Sequence, residues 1–181
     1  MARRCLILGS ANNLFDDVEN ALSMSEFEGV VAAKRAGVLW PGRLDAFVTL
    51  HPDRLTTDLK ERESLGYQMP ERVFSHVTLK AWPHVTDRID YLLGGQRTSG
   101  SSGLFAVLVA QSLGFTKCVL CGIPLDEDFG KLGTVGKWTG RHVFRQGFLQ
   151  MLPSLKTNTR SMSGFTAQHL GTPTPDWLLE S

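Results

Sequence analysis

The sequence predicts a Rossmann-like α/β fold, a mostly parallel sheet with helices on both faces, and three observations predict it. Short apolar runs that read as strands alternate with helical patterns, joined by short polar links. The first run, Cys5 to Leu8, is apolar without interruption and ends at Gly9, as a central parallel strand buried on both faces requires. Residues 101–113 are helix-length and apolar around most of the circumference, and the run Lys117 to Ile123 follows directly.

Each element has its own justification. Gly9 to Asn13 is a turn with Asn12 or Asn13 as N-cap, and Leu14 to Met24 continues at helical spacing. Phe15, Val18 and Leu22 form its expected apolar stripe, and Asp16, Asp17 and Glu19 suit a first turn. Gly29 to Ala33 and Ala46 to Leu50 are the second and third strands, separated by a loop, VLWPGRLD, that turns at Pro41-Gly42. A polar helix is expected from Asp53 to Leu65 and a fourth strand from Arg72 to Val77. A short helix is expected around residues 85–93. Gly114 stands where a C-terminal glycine ends the apolar helix, and Pro153 is expected to end a helix begun at His142. A short strand near Thr159 to Met162 and a polar tail complete the expectation of one domain spanning residues 1–181.

Bulk composition narrows the function classes. Charged residues are 20% of the chain and the formal net charge is +1, so no bulk nucleic-acid or membrane-surface binding is expected and any basic site is local. The apolar run near the N-terminus is far shorter than a bilayer span or a signal h-region, and is read as a strand in a reducing cytoplasm. Cys118 and Cys121 have C-x-x-C spacing, but in a strand they point to opposite faces, and no second Cys/His pair follows.

In open α/β sheets ligands bind beyond the carboxyl ends of the strands, where five polar loops converge. The stretch RTSGSSG, residues 97–103, opens the apolar helix with small residues, hydroxyls and unpaired N–H groups. That composition suits an anion at the positive end of a helix dipole, or a cap for a buried helix. Standard nucleotide motifs fail: GSANNL is not G-x-G-x-x-G, and GKLGTVGKW has one residue too many and Trp138 where a phosphate loop needs Ser or Thr. Lys131, Lys137, Arg141 and Arg145 form a basic series after the fifth strand, a phosphate-facing loop or a solvated surface. Two histidines fall at the ligand end, His51 after the third strand and His142 beyond the basic loop, where a general base would stand. Asp126, Glu127 and Asp128 read as a solvated loop, or as a group for a metal or a sugar hydroxyl.

TSGSSGLFAVLVAQSLGFTKCVLCGIPLD resembles the signature of bacterial sialyltransferases that use CMP-sialic acid. Archaeal pterin diphosphokinases and many phage proteins carry similar signatures. LILGSANNL is similar to that family's first glycine loop, and VVAAKRAGVLWPGRLDAFVTLHPD resembles its second and third strands. The resemblance implies a cytidine nucleotide against Gly9, Ser10, Ala11, Asn12, Lys34, Thr98, Ser99, Gly100 and Gly122. It implies His142 near the catalytic base, with Lys131, Lys137, Arg141 and Arg145 offsetting leaving-group charge. The expected activity is glycosyl transfer from a CMP-sugar-like donor without a metal cofactor. The alternatives are a magnesium-dependent diphosphotransferase on a small heterocyclic alcohol, and a non-catalytic nucleotide- or protein-binding descendant. Ser10 and Lys34 stand where the family has Asn, Pro124 replaces an Asp, and no Tyr follows Gly122.

Overall fold

The computed structural model describes residues 2–77, 79–93, 96, 97, 101–126, 130–134 and 141–180. Its centre is a sheet whose strands all pair in parallel: β1 (Arg4–Leu8), β2 (Gly29–Ala33), β3 (Ala46–Val48), β4 (Val73–Ser75), β5 (Asp87–Arg88), β8 (Lys117–Cys121) and β9 (Thr159–Ser161). Two further short strands, β6 (Leu92–Leu93) and β7 (Gln96–Arg97), form a separate antiparallel pair. The sheet order is β5-β4-β3-β2-β1-β8-β9, so the chain winds outward from β1, returns, and continues on the other side.

The alternation of β1 divides the core. Leu6 and Leu8 face one layer, Cys5 and Ile7 the other, and none exceeds 1% exposure. On the first face lie α1 (Leu14–Met24), α2 (Arg35–Leu39), α3 (Leu55–Ser64) and α7 (Pro175–Leu179). On the second lie α4 (Ser102–Ser112), α5 (Arg141–Leu155) and α6 (Gly164–Leu170). Helix α4 is apolar all round because it is buried across β1, β2 and β3. Cys118 and Cys121 fall in opposite core layers as free thiols, and burial pushes the Cys118 thiol up to about 12. The outermost strands, β5 and β9, are short and polar, which blunts further pairing.

Several expectations are corrected. Residues 85–93 are extended rather than helical: Thr86 N–H donates to Val73 O, and β5 pairs with β4. Part of the loop before Pro41 is the helix α2. Pro153 lies inside α5, exposed and in the last turn, where the missing N–H removes one helical bond near solvent. The C-terminal region is not a polar tail, because α6 and α7 pack onto the sheet and bury Leu170, Trp177 and Leu178. Trp177 lies beneath Lys117 Nζ and the Arg160 guanidinium, 4.5 and 4.7 Å from its ring centre.

The stripe of α1 is also different. Phe15 and Leu22 are exposed, and Leu14, Val18, Ala21 and the carboxylate of Asp17 turn inward. Asp17 is drawn in by donors: Gly122 N–H at 2.8 Å, Ser163 Oγ at 2.8 Å and Asn13 Nδ2 at 3.0 Å all reach Oδ2. Among the described residues no cation offsets the desolvation, which holds its pKa above the ordinary carboxylate value.

Candidate functional site

The crevice where the winding reverses lies between the carboxyl ends of β1 and β8. Gly9 N–H donates to Cys121 O at 2.8 Å and Ala11 N–H to Gly122 O at 3.1 Å, carrying the pairing past the strands. A Cβ on Gly9 would lie 2.2 Å from Ile123 Cγ1 and 2.5 Å from Gly122 O, so only glycine fits. Gly122 itself has φ +66°.

A cavity of about 650 Å³ opens above this crevice. Its floor runs from Gly122 beyond β8, past Gly9, Ser10 and Ala11, to Thr49 and His51 beyond β3. That is three inter-strand spacings, about 14 Å. From the second face of the sheet the N-terminus of α4 contributes Ser101, Ser102 and Gly103. Ser101 caps the helix, its Oγ accepting Leu104 N–H at 3.3 Å, and Ser102 Oγ accepts Leu50 N–H at the same distance. From the first face come Lys34 and Arg35 at the head of α2, and Arg54, Thr57, Asp58 and Glu61 along one side of α3. The segment Gly130–Thr134 closes a third side, held by Asn12 N–H to Gly130 O and Leu132 N–H to Ser10 O.

Backbone strain concentrates here. Lys34 (φ 50°) and Leu125 (φ 54°) are the two non-glycine residues with positive φ among the described residues, and both line the cavity. Lys34 has ψ −122°, a combination that belongs to glycine. The surroundings impose it: Lys34 N–H donates to Val48 O, and Ser10 Oγ accepts Ala36 N–H while donating to Ala33 O.

Electrostatics mark the same side. Burial, and then the charges of Lys131 and Arg54, lower the Lys34 pKa. Burial, and then Lys34, hold the His51 imidazole below its ordinary value, while burial raises the Asp58 carboxyl. Arg35 is paired with Glu61.

Of the residues singled out in the sequence, Gly9, Ser10, Ala11, Lys34, Gly122 and Lys131 line the cavity. Asn12 is exposed and its backbone holds the wall, and its side chain does not line the cavity. Arg145 donates to Leu125 O at 2.8 Å and to Asp126, with its guanidinium 4.3 Å from the Phe165 ring centre. It therefore shapes the lip that holds the strained Leu125. Arg141 opens α5, and His142 is exposed on that helix and does not line the cavity. Thr98, Ser99, Gly100 and Lys137, like Glu127 and Asp128, lie outside the described residues. Arg54 belongs to the polar loop HPDR at the ligand end, but Thr57, Asp58 and Glu61 escape a reading of the sequence because a polar helix face over a cavity has the same composition as one over solvent; their i, i+4, i+7 spacing from Arg54 is the available signal.

Among the described residues, no group of three or more His, Cys, Asp or Glu side chains is gathered as metal ligands, and no helix is long and apolar enough to cross a membrane.

The strand order, the crevice and the cavity define a Rossmann-like α/β protein with a ligand-sized site at its topological switch point. More specifically, the fold is sialyltransferase-like. The chain matches a variant of the sialyltransferase CST-II in complex with CMP, with TM-score 0.64 and 12% identity, covering 99% of this chain and 89% of that one. It matches CstII from Campylobacter jejuni in complex with a substrate analogue, cytidine-5'-monophosphate, with TM-score 0.60 and 13% identity, covering 96% and 87%. A third match is CST-II in complex with a trisaccharide acceptor and CMP, with TM-score 0.60 and 13% identity, covering 99% and 89%. No family model and no curated protein matches the sequence.

Proposed function

We propose that this chain binds a cytidine-type nucleotide-sugar at the switch-point cavity and transfers its sugar to an acceptor hydroxyl without a metal cofactor. The observation that carries this reading is the cavity itself. Strand-end glycines form its floor, the N-terminus of α4 and Lys131 stand at its sides, and a strained Lys34 opposes them, in a fold shared with CMP-bound sialyltransferases. The three buried, unpaired cysteines support a cytoplasmic setting.

In this reading the acceptor oxygen forms a bond to the anomeric carbon as the bond from that carbon to the phosphate oxygen breaks. The electron pair leaves on the phosphate. Lys34 and Lys131 offset that charge, aided by the free N–H groups at the head of α4. The hydroxyl proton goes to an imidazole. His51 lines the cavity and its lowered pKa leaves it neutral near pH 7, so the role is assigned to His51, with His142 as the competing candidate implied by the resemblance.

The test is thermal unfolding against CMP, UMP, GDP and ATP and their sugar conjugates, with and without magnesium. A ligand at 100 times its Kd adds about 2.7 kcal/mol, which raises the Tm by about 8 °C. The expected result is a shift with cytidine ligands that needs no magnesium, and CMP release that His51→Ala abolishes while His142→Ala leaves it standing. A shift only with magnesium and ATP, or none with any nucleotide, would sink the proposal.

A further inference from the structure

Residues 122–126, which leave β8, line the cavity one after another and belong to no helix or strand. Their polar groups are held from elsewhere in the fold. Ala11 N–H reaches Gly122 O, Thr166 Oγ1 donates to Ile123 O at 2.7 Å, Thr166 N–H to Pro124 O at 3.3 Å, and Arg145 Nε to Leu125 O at 2.8 Å. Phe165 N–H donates to Asp126 Oδ2 at 3.0 Å, and Ser163 Oγ donates to the Asp17 carboxylate that accepts Gly122 N–H. Most of these groups come from one short stretch, residues 163–166, where α6 begins. That stretch is built for close approach. Gly164 has φ +68°, and a Cβ there would lie 2.4 Å from Pro124 Cβ and 2.6 Å from Asp126 Oδ2. Thr166 is fully buried, and its Oγ1 accepts from Ser161 Oγ at 2.7 Å while donating to Ile123 O.

These contacts hold a strained wall. Leu125 sits at φ 54°, a region where a leucine persists only when its surroundings over-determine it. The strain is of the same order as one or two net hydrogen bonds, so each outside donor weighs in the balance. Once released, Leu125 and the adjoining Pro124 leave the places they hold in the cavity wall. We infer that Thr166, with Ser163 and Gly164, positions the 122–126 wall of the site and so sets where that wall stands against the bound nucleotide. None of the three lines the cavity, and each acts through the strip it presses on. The inference rests on the nucleotide reading above and adds to it a set of positioning residues on the far side of the wall.

The experiment is titration calorimetry with CMP on the wild type, Thr166→Val, Thr166→Ser and Ser163→Ala, at a temperature where circular dichroism shows each protein folded. Valine keeps the shape of threonine and removes the donor to Ile123 O. Thr166→Val is expected to bind CMP about fivefold more weakly, and Thr166→Ser, which keeps the hydroxyl, to stay within about twofold of the wild type. Ser163→Ala, at a half-buried position, is expected to lose about threefold and carries the test if Thr166→Val does not fold. A merely structural role lowers the Tm of these variants and leaves the CMP affinity of the folded protein unchanged. That result overturns the inference, as does a Thr166→Ser protein as weak as Thr166→Val. If the wild type binds no cytidine ligand, the nucleotide reading fails separately, and the wall is read in crystal structures of the unliganded proteins. Leu125 leaving positive φ in Thr166→Val or Ser163→Ala keeps the positioning role, and Leu125 unchanged near φ 54° in both overturns it.

Discussion

Replacing Lys34 by Gly is expected to stabilise the protein and weaken it as a binder. At φ 50° and ψ −122° the residue occupies a region where a Cβ is strained, at a cost of about 1–3 kcal/mol. Glycine removes that strain but adds about 0.5–1 kcal/mol of unfolded-state entropy. It also removes a half-buried ammonium that Lys131 and Arg54 repel. The net gain is about 1 kcal/mol, which in a domain of this size raises the Tm by about 3 °C. Lys34→Ala separates the two effects, because it removes the charge and retains the strain, so it melts below Lys34→Gly. Both lose about tenfold in CMP affinity, the worth of one charged hydrogen bond. Differential scanning calorimetry and a CMP titration on the three proteins decide the matter. A Lys34→Gly protein that melts below the wild type, or binds CMP as tightly, would refute the assignment of strain to function.

Other consequences follow from buried polar groups. Arg62 is 0% exposed and donates to the carbonyls of Gly37, Trp40, Gly42 and Gln68, tying α3 to the segment after α2. Arg62→Met leaves those acceptors without a partner and is expected to cost about 4 kcal/mol, seen as a fall in Tm of about 10 °C. A fall under about 3 °C would mean that the carbonyls are readily hydrated. Asp17 gives a pH signature. Its folded pKa lies above the unfolded value of about 3.9, so between the two the native state holds more protons and stability declines as pH rises. Asp17→Asn lacks this decline, and urea denaturation from pH 4 to 7 should show the variant gaining on the wild type. Parallel profiles would contradict the burial argument.

The elements readable from residues alone are those whose surroundings come from their own periodicity. β1, α1, β2, α4 and β8 emerge within a residue or two at most ends, because an unbroken apolar run or an all-round apolar helix has only one place in a parallel sheet. The glycine loops at the strand ends were readable for the same reason, since strand direction alone places Gly9, Ser10, Ala11 and Gly122 at the ligand side.

Long-range contact settled the rest. Residues 85–93 became extended because β4 offered an open edge to pair with, a fact absent from their own spacing. Asp17 turned inward because Gly122 and Ser163, more than a hundred residues away in sequence, brought donors to it. Lys34 took a glycine conformation because Ser10 and Val48 hold the turn around it, and Arg54 became a cavity residue because α3 packs beside that turn. Local pattern records how much of a side chain must leave water. Which polar side chain meets which partner depends on distances across the fold, and those exist only once the sheet has assembled.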